Sequence, residues 1–260
     1  MTWATVAASS VGVSHKHVNK PCEDCYCVRE RVAASGWPVL SMFVADGAGS
    51  AARGADGAER AVHTANLFIK RRAEEGFALL EDWESVAFDC VNEVRARIFR
   101  QADDLGLRHK DFATTFLGAV CYMNVALFMQ IGDGAIVFEV DNGLGLQLAI
   151  PPMHGEYANS THFVTDDNAL GILRTRVFEH RKPLHVAMFT DGLERLALDF
   201  RNAPPLPHQP FFRRLFDMLL AKQHGREREL YTDLLDFLDC DNVNSRTDDD
   251  KTLALACRMA

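Results

Sequence analysis

The sequence predicts an α+β fold, a four-layer α-β-β-α sandwich of two antiparallel sheets flanked by antiparallel helix pairs. One observation is the order of elements: strands, two helices, strands, two helices and a final strand. Another is that the central strands are joined by turns too short for helical crossovers, so they must pair antiparallel. Since 48% of the 260 residues are hydrophobic, one sizeable core can form, and we expect a single domain over residues 1–260.

The N-terminal part predicts three strands and a helical hairpin. The strands are the apolar runs Thr2 to Val13, Tyr26 to Val32 and Val39 to Ala45, which we expect to pair with one another. Residues Ala51 to Glu75 and Glu81 to Ala102 carry apolar side chains at helical spacing. These two helices are expected to lie antiparallel on a sheet.

The C-terminal part predicts more strands, a second helix pair and a closing strand. Four strands joined by short polar turns read as an antiparallel meander: Phe112 to Tyr122, Val125 to Gln130, Ala135 to Val140 and Leu144 to Ile150. Three less regular strands follow at Thr161 to Thr165, Arg174 to Glu179 and Leu184 to Thr190. The helices are Phe211 to Lys222 and Glu227 to Leu238, and the last strand is Thr252 to Arg258.

Composition limits which partners and which cellular compartment we expect for this chain. A formal net charge of -8, with no prominent Lys/Arg cluster, argues against nucleic acid or an anionic membrane as a partner. The N-terminal segment has neither a basic leader nor a long apolar run, so we expect no signal peptide. Seven scattered cysteines, an odd number, suit free thiols in a reducing cytoplasm.

Four Asp-containing segments follow or precede apolar strands: FVADGAGS from Phe43, IGDG from Ile131, FTDG from Phe189 and DDDKT from Asp248. If one fold brings these strand ends together, the carboxylates cannot all stay ionised without a compensating charge. A divalent cation supplies it, and oxygen-only ligands favour Mg²⁺ or Mn²⁺ over Zn²⁺. The alternative for any single Asp-Gly pair is an ordinary turn.

These motifs, together with CED at Cys22 to Asp24 and ATTFLGAV at Ala113 to Val120, stand in a characteristic order. In this order and near this spacing the chain resembles the metal-dependent protein phosphatases of the 2C type. It is most similar to the bacterial branch that carries Asp-Gly-Ala-Gly in place of Asp-Gly-His-Gly. The resemblance runs from about Gly12 to Cys257.

The resemblance implies two Mg²⁺ or Mn²⁺ ions that activate a water to attack phosphoserine or phosphothreonine, and some members bind a third, looser ion. By this resemblance Asp46 bridges both ions and the Gly47 carbonyl binds the second. Asp191 and Asp249 complete the first site. The resemblance favours Asp249 over its acidic neighbours because the family's Asp stands three residues before a small hydroxyl residue, here Thr252.

Three further acidic residues receive supporting roles from the same resemblance. Glu23 and Asp24 are expected to hold metal-bound waters, so Asp24 is counted with the metal site. Asp133 matches a position that binds a third ion in some members. That third ion is in doubt because Arg195 stands where many members have another Asp, unless Glu194 substitutes.

Two other departures concern the phosphate and the leaving group. Asn19 stands where eukaryotic members place a phosphate-binding Arg, and Ala48 stands where the family has its candidate general-acid His. Phosphate contacts could come from Lys16, Lys20, His15 or His17, or these could be ordinary solvated residues. Leaving-group protonation would then fall to a metal-bound water or to one of the two histidines.

The expected function is therefore a cytoplasmic serine/threonine protein phosphatase acting on phosphoproteins, with a Ser/Thr kinase or its target as a possible partner. Two alternatives remain. One is a phosphatase-shaped binding module without turnover, and the other is a di-metal hydrolase of small phosphoesters. Residues Pro151 to Asp167 fall where the family carries a variable flap, and there we would look for substrate selection.

Overall fold

Two five-stranded antiparallel sheets pack face to face, with helices on the outer side of each. The structure is a computed structural model and describes residues 2–77, 82–152, 161–221 and 227–259. The predicted α-β-β-α sandwich is confirmed.

The strands and helices are numbered here in chain order. The strands are β1 (Trp3–Ser10), β2 (Asp24–Val32), β3 (Pro38–Asp46), β4 (Phe116–Tyr122), β5 (Val125–Ile131), β6 (Ala135–Val140), β7 (Gln147–Leu148), β8 (Arg174–Phe178), β9 (Pro183–Phe189), β10 (Leu198–Asp199), β11 (Leu206–Pro207) and β12 (Lys251–Arg258). The α-helices are α1 (Val13–His17), α2 (Gly54–Glu75), α3 (Trp83–Asp104), α4 (Ala169–Ile172), α5 (Glu194–Ala197), α6 (Gln209–Ala221), α7 (Glu227–Leu238) and α8 (Asp241–Asn244).

The strand order is β2-β3-β4-β5-β8 in one sheet and β1-β12-β9-β6-β7 in the other. Every pairing between neighbouring strands is antiparallel. β10 and β11 form a separate two-stranded ribbon. This order gives β3 and β12 neighbours on both sides, so the acidic residues at their ends sit on well-anchored strands.

Side chains alternate between the two faces of each central strand, and the buried apolar ones form three layers. In β3, Leu40, Met42 and Val44 point into the interface between the sheets. The intervening Phe43 and Ala45 pack against the helices α2 and α3 instead. The result is a strand that is apolar on both faces and nearly free of solvent contact.

The helices of the outer layers bury the apolar side chains that recur at helical spacing in the sequence. Helices α2 and α3 cover the first sheet, and their buried positions include Ala61, Ala65, Val94 and Ile98. Helices α6 and α7 cover the second sheet through a cluster of Leu and Phe side chains. Within the residues described, no helix is both long and apolar enough to cross a membrane.

Two pairing predictions are wrong. β1 pairs with β12 and not with β2 or β3, because the chain crosses to the other sheet before β2 begins. β5 and β6 do not form a hairpin, since each belongs to a different sheet. The intervening Gly132 has φ 96°, a left-handed conformation open to glycine, and it carries the chain from one sheet to the other.

Some boundaries also differ from prediction. Only Gln147–Leu148 of the strand expected at Leu144 to Ile150 pairs, and the stretch Thr161 to Thr165 forms turns beyond one isolated bridge residue. The strand expected to begin at Phe112 begins at Phe116, and Phe112 ends a 3-10 turn over His109–Phe112. Helix α1 was not predicted. The expected helix ends at Glu81 and Lys222 lie outside the described residues.

Candidate active site

The ends of β3 and β9 and the turn before β12 meet at an open, acidic cavity of about 440 Å³. Five of the predicted acidic residues line it: Glu23, Asp46, Asp133, Asp191 and Asp249. Asp46, Asp133 and Asp191 each offer a carboxylate oxygen, and these atoms lie within 4.8 Å of one another. Segments far apart in sequence are thus brought within reach of a common ligand.

Asp46 is held by backbone contacts to the segment that enters β4. Its N–H donates to Thr115 Oγ1 at 3.0 Å. Its carbonyl accepts from Thr114 Oγ1 at 2.8 Å and from the Thr115 N–H at 2.8 Å. On the other side of β3, the Gly47 N–H donates to the carbonyl of Glu23, which precedes β2, at 3.1 Å. With the main chain fixed, the Asp46 carboxylate is directed into the cavity.

Asp191 begins a 3-10 turn directly after β9. The following Gly192 packs against the turn before β12, since a Cβ at this position would lie 2.1 Å from the Asp250 carbonyl oxygen. The glycine therefore permits a close approach of two main chains and not a left-handed turn. That approach brings Asp191 and Asp249 to the same cavity.

Asp133 enters the cavity from the crossover between β5 and β6. Buried Gln130 braces this turn, donating from Nε2 to the carbonyls of Gly132 at 3.1 Å and Gly134 at 3.3 Å. Thr161 Oγ1 donates to Asp133 Oδ2. Thr161 and Phe163 also line the cavity, so the described end of the predicted flap lies beside the acidic cluster. Residues 153–160 of that flap lie outside the described residues.

The three consecutive aspartates of DDDKT differ in their surroundings and contacts. Asp249 lines the cavity, as expected from its position before Thr252. Asp250 is buried and accepts from the backbone N–H groups of Gly12 at 2.7 Å and Glu23 at 2.6 Å. Asp248 is exposed, and its carbonyl accepts from Ser14.

Asp24 lies beneath the cavity at the start of β2. Its Oδ2 accepts hydrogen bonds from Thr190 Oγ1 and Thr252 Oγ1, each at 2.8 Å. Glu23 lies on the cavity wall, where its Oε2 accepts from Lys20 Nζ at 2.5 Å. The sequence prediction missed the two threonines that fix Asp24, although both stand in the motifs that drew attention to Asp191 and Asp249.

The carboxyl groups resist ionisation because they crowd together in a site that is partly withdrawn from solvent. Burial, with smaller contributions from nearby carboxylates, raises the pKa of Asp24 to about 8 and that of Asp191 to about 7, although the Thr190 and Thr252 hydroxyls act on Asp24 in the opposite direction. Burial raises the pKa of Asp46 well above its usual range, with Asp24, Asp191 and Asp249 adding to the effect. Asp249 is more exposed than the others, and partial desolvation at the cavity edge raises its pKa in the same direction. A cation among these groups would reverse this effect.

Two buried carboxylate oxygens support a divalent cation as the missing counter-charge. Oδ1 of Asp24 and Oδ1 of Asp191 have no hydrogen-bond partner within the described part of the chain. Native proteins seldom leave buried polar atoms unsatisfied unless a water or an ion meets them. The donors are all oxygen, which suits Mg²⁺ or Mn²⁺. The residues present therefore fit such an ion.

The departures Asn19 and Ala48 can now be placed. Asn19 is exposed, has φ 55°, and is not among the cavity-lining residues, whereas Ala48 lines the cavity. Lys16 is engaged by Asp239, away from the cavity lining, and His17 is exposed. Among the described residues that line the cavity, none is Lys or Arg.

Arg195 does not line the acidic cavity. It lies instead on a separate groove of about 930 Å³, together with other arginines. Glu194 is buried, and its pKa is raised to about 7 by burial and then by the charge of Asp133. Glu194 therefore lies close enough to Asp133 for their charges to interact, and its part in a third ion site stays a prediction.

The fold and this cluster together define a carboxylate-lined site typical of a metal-dependent hydrolase. Residues 11–239 match the family model described as "Protein phosphatase 2C". The chain is 44% identical over 258 residues to "Serine/threonine-protein phosphatase 3" of Escherichia coli (strain K12), covering 98% of each chain. The chain belongs to the protein phosphatase 2C family.

Solved structures show the same fold at low sequence identity. A bacterial serine phosphatase superposes with a TM-score of 0.66 at 13% identity, covering 100% of this chain and 99% of that one. The serine/threonine phosphatase of Staphylococcus aureus gives a TM-score of 0.63 at 15% identity, covering 100% and 96%. The family match ends before Asp249, so the inclusion of this residue in the site depends on its position in the cavity.

Proposed function

We propose that this chain hydrolyses phosphoserine and phosphothreonine in proteins, using water and divalent cations. The observation that carries the proposal is the convergence of Asp46, Asp133 and Asp191, whose carboxylate oxygens lie within 4.8 Å of one another at strand ends. The family membership and the phosphatase name of the Escherichia coli relative support the same reaction.

The proposed ion-binding residues combine the family resemblance with the residues that line the cavity. Two Mg²⁺ or Mn²⁺ ions would share Asp46, with Asp191 and Asp249 holding the first and the Gly47 carbonyl the second. When bound, such ions lower the pKa of water and neutralise the charge that builds on phosphoryl oxygens. Asp133 is the proposed ligand of a third ion, with Glu194 as the neighbouring carboxylate.

The protein groups around this centre orient water and shape the cavity. Glu23 and Asp24 are proposed to accept hydrogen bonds from waters beside the ions, because Asp24 Oδ1 is buried and unpaired within the described chain. The described lining offers neither lysine nor arginine for the phosphate. Lys20 lies beside this wall, but its Nζ donates to Glu23 Oε2 and to the Gly49 carbonyl. Bound cations would therefore supply most of the positive charge that attracts the phosphate group, which makes substrate binding itself metal-dependent.

The proposed partners and compartment follow from the same chemistry. The proposed substrate is a phosphoprotein, either a phosphorylated Ser/Thr kinase or a protein that such a kinase phosphorylates. All seven cysteines are unpaired in the structure. Free thiols persist in a reducing environment, so we place the chain in the cytoplasm.

The test is metal-dependent release of phosphate from phosphoserine and phosphothreonine peptides. We expect turnover with Mn²⁺, loss of activity with chelator, and a loss of about 10³-fold or more in Asp46→Asn, because one carboxylate serves both ions. Asp248→Asn, an exposed aspartate next to the site, is the matched control and should retain activity.

Two outcomes would replace the proposal by its alternatives. Activity no higher than that of Asp46→Asn on every substrate would favour a binding module. Turnover of nucleotide or sugar phosphates well above that of phosphopeptides would favour a hydrolase of small phosphoesters.

A further inference from the structure

His15 brings an imidazole to the acidic cavity from helix α1. Its side chain is 15% exposed and lines the same cavity as Asp46 and Ala48. Among the described residues that line the cavity, His15 is the histidine. His17, on the same helix, is exposed and does not line the cavity.

Asp250 fixes the orientation of the His15 ring. Nδ1 lies 3.0 Å from Oδ1 and 3.0 Å from Oδ2 of Asp250, whose side chain is 3% exposed. The carboxylate is itself anchored by the N–H groups of Gly12 and Glu23, at 2.7 and 2.6 Å. An ionised carboxylate only accepts hydrogen bonds, so the contact assigns a proton to Nδ1.

The second ring nitrogen is left available on the cavity side. His15 Nε2 lies 3.8 Å from Glu23 Oε2, too far for a hydrogen bond, and that oxygen already accepts from Lys20. Nε2 makes no hydrogen bond within the described residues. The charged groups that face the ring are Asp250, Glu23 and Asp249.

We propose that His15 is the residue that protonates the leaving serine or threonine oxygen, and that Asp250 is its positioning residue. The inference rests on the proposed phosphatase function and deepens it. A carboxylate that holds Nδ1–H and directs Nε2 at the reacting atoms is a recurrent arrangement for histidine acid–base catalysis. Here the carboxylate also connects the two ends of the segment that carries His15.

The step balances in atoms and charge. Water forms the new oxygen–phosphorus bond, and the bond between phosphorus and the serine oxygen breaks. The serine oxygen takes the proton from Nε2 of the doubly protonated ring, which leaves a neutral imidazole still donating from Nδ1 to Asp250. The proton released by the attacking water returns through solvent to Nε2, and the cycle can repeat.

The experiment uses the dependence of rate on the leaving group. The alkoxide of serine or threonine is a strong base and needs a proton as it departs, whereas para-nitrophenolate leaves readily without one. In His15→Gln we expect kcat/KM to fall about 10²-fold or more on phosphoserine and phosphothreonine peptides but only slightly on para-nitrophenyl phosphate. Exposed His17→Gln is the matched control and should leave both substrates unchanged.

Two further readouts separate this role from a structural one. His15→Gln should bind Mn²⁺ with unchanged affinity by calorimetry and should melt at the wild-type temperature. In His15→Ala, added imidazole should restore turnover of the peptide. Asp250→Asn should shift the ratio of the two substrates in the same direction as His15→Gln, and its melting curve reports any cost to the fold.

The outcomes are decisive either way. Equal losses on both substrates, no loss on either, or loss of Mn²⁺ binding in His15→Gln would overturn the assignment. Failure of the unmodified protein on every substrate would overturn the proposed function together with this inference. Peptide-selective loss in His15→Gln, with turnover of para-nitrophenyl phosphate retained and His17→Gln unchanged, supports the role of His15, and peptide turnover by the unmodified protein separately supports the proposed function.

Discussion

Asp24 lies directly opposite Asp46 in the antiparallel register of β2 and β3. Two carboxylates at one end of a strand pair repel when both are ionised. The pairing is tolerated because threonine hydroxyls stabilise Asp24 and because a cation can neutralise the pair. This relationship connects the stability of the sandwich to the occupancy of its site.

Replacing Asp24 by Asn should stabilise the metal-free protein and weaken the site. The amide oxygen still accepts from Thr190 and Thr252, but the group no longer ionises. We expect the free energy of unfolding without metal near neutral pH to rise by on the order of 2 kcal/mol, since each unit of pKa shift corresponds to about 1.4 kcal/mol. We also expect Mn²⁺ affinity to fall about 10-fold or more.

Chemical denaturation and calorimetry measure the two effects, with Asp248→Asn as the control. An Asp24→Asn protein that is less stable without metal, or that binds Mn²⁺ as tightly as wild type, would contradict the electrostatic interpretation.

The metal-free protein should lose stability as the pH rises. The pKa of Asp24 is about 8 and that of Asp191 about 7 in the folded state, against 3.8 for the ordinary carboxyl. Between these values the folded state binds more protons than the unfolded state, so the free energy of unfolding falls from about pH 4 to about pH 8. Bound Mn²⁺ replaces those protons, so the metal-induced rise in Tm should grow with pH.

Thermal melts with chelator and with Mn²⁺ across this pH range test the point. A metal-free Tm that climbs steadily toward pH 8, or a metal-induced rise that is constant with pH, would show that these carboxyls do not govern stability.

Substitution of each of the three aspartates before β12 by Asn should affect activity and stability differently. Asp249→Asn should lose activity with little change in Tm, because Asp249 lines the cavity. Asp248→Asn should change neither. Asp250→Asn should lower stability by about 1–3 kcal/mol, because its carboxylate satisfies two buried backbone donors. Parallel assays and melts decide, and equal activity losses in Asp248→Asn and Asp249→Asn would contradict the assignment.

Gly192→Ala should weaken the junction between Asp191 and Asp249. Its Cβ would lie 2.1 Å from the Asp250 carbonyl oxygen, so one main chain must move, at a cost of about 1–3 kcal/mol. Gly49→Ala is the control, because the nearest atom to its Cβ is a flexible Glu23 oxygen at 3.8 Å. Denaturation curves that coincide for the two variants would show that this contact is not tight.

Much of the fold follows from local patterns in the sequence. Helical spacing in α2, α3, α6 and α7 and the apolar run of β3 predict the layers, because burial of one face determines each element. Which strands pair was harder to predict. The crossover at Gly132 looks like a hairpin turn in sequence, and only packing of the two sheets decides that β5 and β6 separate.

In the candidate site, too, some residues could be predicted from the sequence and others could not. Asp46, Asp133 and Asp191 could be predicted because each stands at a strand end with a glycine after it, whereas Asp249 was selected from three consecutive aspartates by the family resemblance. The roles of Asp250, Thr190 and Thr252 could not, since their partners lie far away in the sequence and are brought near only by the pairing of β1, β12 and β9. Likewise, the sequence leaves His15 and His17 equivalent, and only the position of α1 distinguishes them.

Anomalous diffraction from crystals soaked in Mn²⁺ tests the central claim most directly. The account predicts two manganese peaks that share Asp46, each with oxygen ligands at about 2.1 Å, and with Asp191 and Asp249 at one of them. Manganese-saturated crystals without a peak beside Asp46 and Asp191, or with the ions bound elsewhere, would contradict it.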